Sequence, residues 1–359
     1  MTYDGIYCGG MIQDLTQKLK DGFSMSDKEA ELSVSLLVDA EIDPTGKADF
    51  LGALSEKGES ESEITVIASK LRDMAVAPPG IESLDRQEII DVCGTGGDHL
   101  NTFNVSTTVA LLLAAQGIKV AKHGNRAITS KSGSADVLTA LGLPVDLSPK
   151  QAVCSLRDNN FAFFFAIHYH PAFKHIGPAR QICAQRGQRT IFNFLGPLLN
   201  PVKPACQLIG VPLPSKCEMI AKVLMSMGSR RGMVVSGRAD DERYMDELST
   251  LGNSVIAEFY QGRGFSVSEL EIEHLPLSPS SIEDLKGGQA DENAALIEKI
   301  ISGEVKGPQR DIVLLNTAAA LLVADRSNSI AEGWDLAAEI IDSGRAKDFL
   351  VKLRTWEPS

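Results

Sequence analysis

The chain has no uninterrupted apolar stretch of membrane-spanning length, which excludes a transmembrane helix. Its opening, Met1-Thr-Tyr-Asp-Gly-Ile-Tyr-Cys-Gly-Gly10, contains no basic segment followed by an apolar run. No signal peptide is therefore expected, and the cytoplasm is the expected location. Positive charge is in short supply: 35 Lys and Arg face 47 Asp and Glu, for a net charge of −12. That balance argues against a nucleic-acid partner, because phosphate backbones demand clustered Lys and Arg. A small polyanionic substrate stays open, since it needs only local positive charge, metal ions and N–H dipoles. The six cysteines (Cys8, Cys93, Cys154, Cys183, Cys206, Cys217) show no CxxC pair and no metal-ligand spacing, so buried reduced thiols are expected rather than a disulfide framework. Cys93 reads as strand-end packing. Repeats and low-complexity linkers are absent too. What remains is a chain of 359 residues with an ordinary 43% hydrophobic content, long enough for one large domain and a smaller one.

The first eighty or so residues read as helices only. Ile12, Leu15 and Leu19 share a helical face. Ser26 with Glu29 and Ser60 with Glu63 have capping-box spacing, each ahead of an apolar-periodic segment. Asp43-Pro-Thr-Gly opens a further segment bearing Phe50, Leu51 and Leu54, and Pro78-Pro-Gly80 closes the block. Beyond it, short apolar runs alternate with helical stretches. Strands are expected at Glu88–Cys93, Ile118–Ala121, Phe161–Ile167, Gln207–Val211, Gly232–Val235, Ser254–Glu258 and Phe265–Glu271. That alternation is the pattern of an α/β sheet with crossover connections. A long apolar helix is expected from Asp311, then an amphipathic one over Ile330–Ser343, ended by Gly344.

Two glycine-rich loops carry the chemistry. Asp91–Asp98 (DVCGTGGD) follows an apolar run and leads through Asn104-Val-Ser-Thr107 into a helix; Lys122–Ser134 (KHGNRAITSKSGS) follows Ile118–Ala121. Glycine lets backbone approach a ligand closely, and N–H groups at a helix start attract anions. Two such loops, interleaved with Lys, Arg and hydroxyls, suit a substrate with more than one phosphate. On residue type alone, Asn104, Ser106 and Thr107 could equally be plain N-cap residues.

The run KHGNRAITSKSGSADVLTALG at Lys122–Gly142 resembles the signature of the anthranilate phosphoribosyltransferase family. GTGGD at Gly94–Asp98, NVST at Asn104–Thr107, YHPAFKH at Tyr169–His175, RTIFNFLGPLLNP at Arg189–Pro201 and DELSTLG at Asp246–Gly252 resemble that family's other motifs, in its order. The resemblance implies an α/β fold: a small all-helical domain, a larger α/β domain with a central mostly parallel sheet, and a hinged cleft between them. It implies domain limits of 1–80 with about 168–200 for the helical, dimerising domain, and 81–167 with about 201–359 for the domain that binds phosphoribosyl pyrophosphate. Gly196-Pro197 and Asn200-Pro201 would mark the hinge, or be ordinary turns. It also implies a homodimer, with no nucleic acid and no membrane as partner.

For the site, the resemblance implies that Gly94, Gly97, Asp98, Thr102, Asn104, Val105, Ser106, Thr107, Lys122, His123, Gly124, Asn125, Arg126, Ala127, Ile128, Thr129, Ser130 and Ser134 bind phosphoribosyl pyrophosphate. Gly94 and Asn125 would also face anthranilate, whose carboxylate Arg180 would hold, as guanidinium geometry suits. Ser106, Asp246 and Glu247 would hold Mg2+, two ions per protomer, since magnesium favours carboxylates that leave room for water and substrate phosphates. His123 is the one acid/base candidate, or else satisfies backbone near the loop. Tyr169 and His170 would lie in the acceptor-facing segment, with His168 and His175 structural.

Some positions depart from the pattern. Tyr244-Met245 stands before the acidic pair where the family has glycine and leucine, and Asp240-Asp241-Glu242 is a nearby acidic competitor, read as exposed loop. The segment Gln181–Gln188 is longer than the family form, which leaves Arg186 as an alternative to Arg180. The implied reaction is transfer of the phosphoribosyl group to the amino group of anthranilate. Two alternatives remain at this point: a pyrimidine nucleoside phosphorylase-like enzyme and a non-catalytic nucleic-acid-binding paralogue.

Overall fold

The computed structural model describes residues 5–127 and 131–357, with side chains from residue 10 onward. The chain divides into two compact units, one of Met1–Val76 with His170–Leu199 and one of Ala77–Tyr169 with Asn200–Ser359.

The first unit is helical. Helices span Gly5–Lys20, Asp27–Val38, Pro44–Lys57 and Glu61–Asp73, joined by Gly177–Gln185 from mid-chain. Local chemistry starts them where the pattern predicts. Ser26 and Ser60 form complete capping boxes with Glu29 and Glu63, and the Asp43 carboxylate accepts from the amides of Thr45 and Gly46. Ile12, Leu15, Leu19, Phe50, Leu51, Leu54, Ile64 and Ile67 are buried. Glu63 is fully buried too, and accepts from Met25 N (2.9 Å), Ser60 N (2.8 Å) and Lys57 Nζ (2.6 Å). Burial works against its charge, yet these donors hold its carboxyl below the ordinary value.

The second unit is built on an eight-stranded sheet: β1 Ile89–Gly94, β2 Lys119–Gly124, β3 Phe161–Phe165, β4 Cys206–Gly210, β5 Arg231–Arg238, β6 Tyr244–Met245, β7 Ser254–Tyr260 and β8 Gly264–Leu270. The order is β3-β2-β1-β4-β5-β7-β8, with β6 beside the end of β5. Strands β1 to β5 pair in parallel, while β6, β7 and β8 join antiparallel. The parallel strands read as unbroken apolar runs because helices cover both faces: every residue of β3 and β4 is buried, whereas β8 at the edge is largely exposed. The chain winds outward from β1 through β2 to β3, then returns to place β4 on the other flank of β1. The reversal lies between β1 and β4, whose last residues, Gly94 and Gly210, stand in register. Open α/β sheets bind ligands at the carboxyl ends of strands at such a switch point.

The helices Val105–Ala115 and Pro308–Val323 pack on each other within the main core, and Pro308–Val323 also packs against Ile330–Asp342. Two expectations need correction. The second loop begins inside a strand: Lys122, His123 and Gly124 belong to β2, because β3 pairs with them along its length. β3 stops at Phe165, and Ile167 lies in the short helix Ala166–Tyr169. The amphipathic helix does end ahead of Gly344, and with φ of 80° this residue turns the backbone into a further helix, Arg345–Arg354, not expected from the sequence.

Candidate active site

The carboxyl ends of β1, β4 and β5 carry the acidic segment. Gly94 and Gly210 have no side chain because there is no space for one. A Cβ on Gly94 would stand 2.2 Å from Asp246 Oδ2, and one on Gly210 would stand 1.5 Å from the Asp246 carbonyl oxygen. Gly237 on β5 is similarly closed by the Glu247 carbonyl, 2.4 Å from an added Cβ. Asp246 and Glu247 thus lie directly on strand backbone. The Gly96 amide donates to Asp246 Oδ2 (2.6 Å), and the Ser106 amide, in the first turn of Val105–Ala115, donates to Glu247 Oε1 (3.2 Å). Gly96 and Gly97 have φ of 76° and 82°, a left-handed turn that glycine adopts without strain.

Both carboxylates keep a partial opening to solvent, but dense protein strips most of their hydration. Burial, then the facing carboxyl of Asp98, pushes Asp246 up to about 7; burial, then Asp246, pushes Glu247 well up. Asp98 Oδ2 is buried with no donor. Three desolvated acids with few donors leave a charge that a cation would balance. Among the described residues no three His, Cys, Asp or Glu side chains converge into a ready-made metal cage. Magnesium takes one or two carboxylates and completes its shell with water and phosphate oxygens, and the Asp246–Glu247 pair fits that demand. Burial, then Asp91, Glu247 and Asp246, pushes the Cys93 thiol up, so it stays a protonated packing group. Cys93 and the other described cysteines are free and buried.

Asn104 ties the first loop to the second. It occupies the N-cap position of Val105–Ala115 without capping by its side chain. Its amide nitrogen donates to Ser132 O (3.2 Å), and its Oδ1 accepts from Asn293 Nδ2 (3.0 Å). Thr102 bridges to Lys286. Lys122 is 2% exposed, and its ammonium donates to the Val92 carbonyl (2.7 Å) beneath the first loop. Beside it Asn200 Nδ2 donates to Asp91 Oδ2 (2.8 Å). Burial raises Asp91 to about 6 despite Lys122 and Asn200.

In the second loop, Gly124 is pressed against Ser134, whose Oγ would lie 2.5 Å from an added Cβ. Asn125 Oδ1 accepts from Arg126 N (2.8 Å). Asp136, at the start of Ser134–Ala140, gathers the loop's ends: it accepts from Ala127 N (2.9 Å), Gly133 N (3.0 Å) and Arg126 Nη1 (3.0 Å). Ile128, Thr129 and Ser130 lie outside the described residues. His123 is half-buried at the end of β2.

Other candidates sort by their partners. Asp240, Asp241 and Glu242 are exposed, and Asp240 is taken up by Arg243 (2.6 Å), while Tyr244-Met245 forms β6 and holds the chain against β5. In the helical unit, Arg180 packs over the Phe192 ring at 5.3 Å, and burial lowers its basicity. No carboxylate among the described residues pairs with it. Arg186 is already paired with Asp49 (2.6 Å). His170 is buried, stacks on Phe173 and is pulled down to about 4 by burial. Tyr169 is buried in the second unit against Phe164, and His168 meets Asp146 (2.6 Å).

Reasoning from motifs misses Gly210, Asp136, Asn293 and Asn316. Only an Asn within the largely apolar run 312–323, at position 316, stands out as a signal.

Residues 86–347 match the model of the glycosyl transferase family, a/b domain. The anthranilate phosphoribosyltransferase of Caulobacter vibrioides is 45% identical over 94% of this chain and 95% of its own. The crystal structure of the anthranilate phosphoribosyltransferase from Thermus thermophilus has a TM-score of 0.84 at 37% identity, covering 95% of this chain and 98% of its own. That of Saccharomyces cerevisiae, in complex with PRPP and Mg, has a TM-score of 0.83 at 27% identity, covering 96% and 97%.

Proposed function

The chain belongs to the anthranilate phosphoribosyltransferase family, and from that premise we propose how its residues divide the work. The enzyme is a pentosyltransferase of tryptophan biosynthesis. It moves the phosphoribosyl group of phosphoribosyl pyrophosphate to the amino group of anthranilate, giving N-(5-phosphoribosyl)anthranilate and pyrophosphate. Bond breaking at ribose C1 leaves an oxocarbenium-like sugar and gathers negative charge on the leaving group. Such a reaction needs alignment and charge stabilisation more than a strong base.

The glycine loop Gly94–Asp98 and the amides from Val105 to Thr107 face the pyrophosphate, with Thr102 and Asn104 fixing the loop. Lys122, Gly124, Asn125, Arg126, Ala127 and Ser134 form the second anion-binding set, together with Ile128, Thr129 and Ser130. Asp246, Glu247 and the Ser106 hydroxyl would hold Mg2+, two ions per protomer; the orphaned Asp98 oxygen and the desolvated acidic pair support this. Magnesium, when bound, offsets the charge that collects on the departing pyrophosphate. Arg180 takes the acceptor's carboxylate, a role supported by its desolvated and unpaired guanidinium; the ion pair at Arg186 argues against that alternative. Gly94 and Asn125 also border anthranilate, and His123 is the nearest candidate for proton handling. The active form is a homodimer in the cytoplasm, assembled through the helical unit. No described helix is long and apolar enough to cross a membrane.

The observation that carries this reading is the acidic pair seated on glycines at the β1/β4 switch point, within reach of the first glycine loop. Loss of anthranilate fluorescence on adding phosphoribosyl pyrophosphate, with and without Mg2+, tests it. Magnesium-dependent loss is expected; folded protein that consumes no anthranilate at any magnesium concentration would contradict it.

A further inference from the structure

Asn316 sits in the middle of Pro308–Val323, in the run Ile-Val-Leu-Leu-Asn-Thr-Ala-Ala-Ala-Leu-Leu-Val. It is completely buried. A carboxamide there is a poor helix former, and burying it costs free energy unless its polar atoms are matched. They are matched, chiefly on one residue: Oδ1 accepts from Leu248 N (2.8 Å), and Nδ2 donates to Leu248 O (2.9 Å) and to Ile312 O (2.9 Å). Leu248 directly follows Glu247. The acidic pair is therefore gripped from two sides. Beneath it are Gly94, Gly210 and Gly237, which admit no side chain; beyond it is a side chain that satisfies both backbone groups of the next residue. The Gly96 and Ser106 amides touch the carboxylates themselves but not the backbone that carries them.

Granted that Asp246 and Glu247 hold the cation, we propose that Asn316 is the positioning residue that sets where those two carboxylates stand, and so sets the protein's affinity for a divalent cation. Groups behind metal ligands act on affinity in this way, typically by about 10- to 100-fold. An Asn316→Ser variant isolates the effect. A serine hydroxyl in a helix bonds its own preceding turn, which keeps the Ile312 bond and deletes the Leu248 pair. The probe is Mn2+, titrated by water-proton relaxation with inorganic pyrophosphate present. Steady-state kinetics and denaturant unfolding are run on the same samples. Ile340→Ala, a fully buried truncation on the neighbouring helix, serves as the stability-matched control.

The expected result is Mn2+ affinity lowered about 10-fold or more in Asn316→Ser, a higher Mg2+ concentration for half-maximal rate and an unchanged KM for anthranilate. Ile340→Ala should bind Mn2+ as the wild type does. If the serine variant does not fold, Asn316→Thr, bulkier and with the same back-bond, carries the same expectation. Wild-type Mn2+ affinity in a folded Asn316 variant would overturn the proposal while leaving the acidic pair's role intact. A wild type that binds no Mn2+ would overturn both.

Discussion

Two buried carboxylate sites in this molecule are built in opposite ways. In the helical unit, Glu63 collects the amides of Met25 and Ser60 and the ammonium of Lys57, and its charge is held below the ordinary range. In the sheet unit, Asp246 and Glu247 receive one amide each, from Gly96 and Ser106, and burial, then the neighbouring carboxylates, pushes both upward. A fully satisfied buried charge closes a structure. Two under-satisfied ones at the ends of parallel strands leave an electrostatic demand for a ligand to meet, and perturbed groups in a cleft mark functional sites for this reason.

The largest effect should come from the under-satisfied pair. Asp246→Ala with Glu247→Ala should lower kcat by roughly 1,000-fold or more, the scale of losing charge stabilisation at a reacting centre, with secondary structure retained by circular dichroism. The satisfied site should show the converse. Glu63→Ala leaves Lys57 and two amides without their partner, and should cost about 3–5 kcal/mol in denaturant unfolding while turnover by the remaining folded protein persists.

Asp91 lies between these extremes, with one carboxamide donor and a lysine nearby. Its folded value, about 6, is above its ordinary 3.8. Its contribution to stability is therefore full below about 3.8 and is lost as pH rises through about 6. Asp91→Asn, which cannot ionise, should gain on the wild type between about pH 4 and pH 6.5 by on the order of 2 kcal/mol; a pH-independent difference in unfolding free energy would contradict this. The smallest effect belongs to the exposed trio. Asp240→Asn should leave kcat and the Mg2+ requirement within about twofold of wild type, because a solvated surface pair contributes little.

Much of the helical unit is legible from local chemistry, since Ser26 with Glu29 and Ser60 with Glu63 have the spacing a capping box needs. The parallel strands are legible as apolar runs for a related reason: burial on both faces leaves no polar alternation to confuse. Where strand ends are set by a neighbour, local reading fails. Lys122 to Gly124 looks like loop, yet pairing with Phe163 to Phe165 makes it strand. In the helix Arg345–Arg354, Ala346, Phe349, Leu350 and Leu353 have helical spacing and pack on the core, but Gly344 just before it reads as a stop signal and hides the continuation. At the site, motifs point to the glycine loops and to Asp246-Glu247, and the structure brings Gly96, Asp98, Ser106, Asp246 and Glu247 together. Gly210, Asp136 and Asn316 could not be found that way, because what they do is defined by a backbone elsewhere in the chain: at Asp246, Ala127 and Leu248 respectively.

The most direct test measures stability and turnover together in Asp246→Asn, prepared free of metal. If the carboxylate is held under-satisfied for chemistry, removing its charge relieves repulsion with Asp98, and the Gly96 amide can still donate to the carboxamide oxygen. Unfolding free energy should then equal or exceed that of the wild type while kcat falls by at least about 100-fold. Lost stability on the scale expected for Glu63→Ala, with turnover retained, would contradict the account.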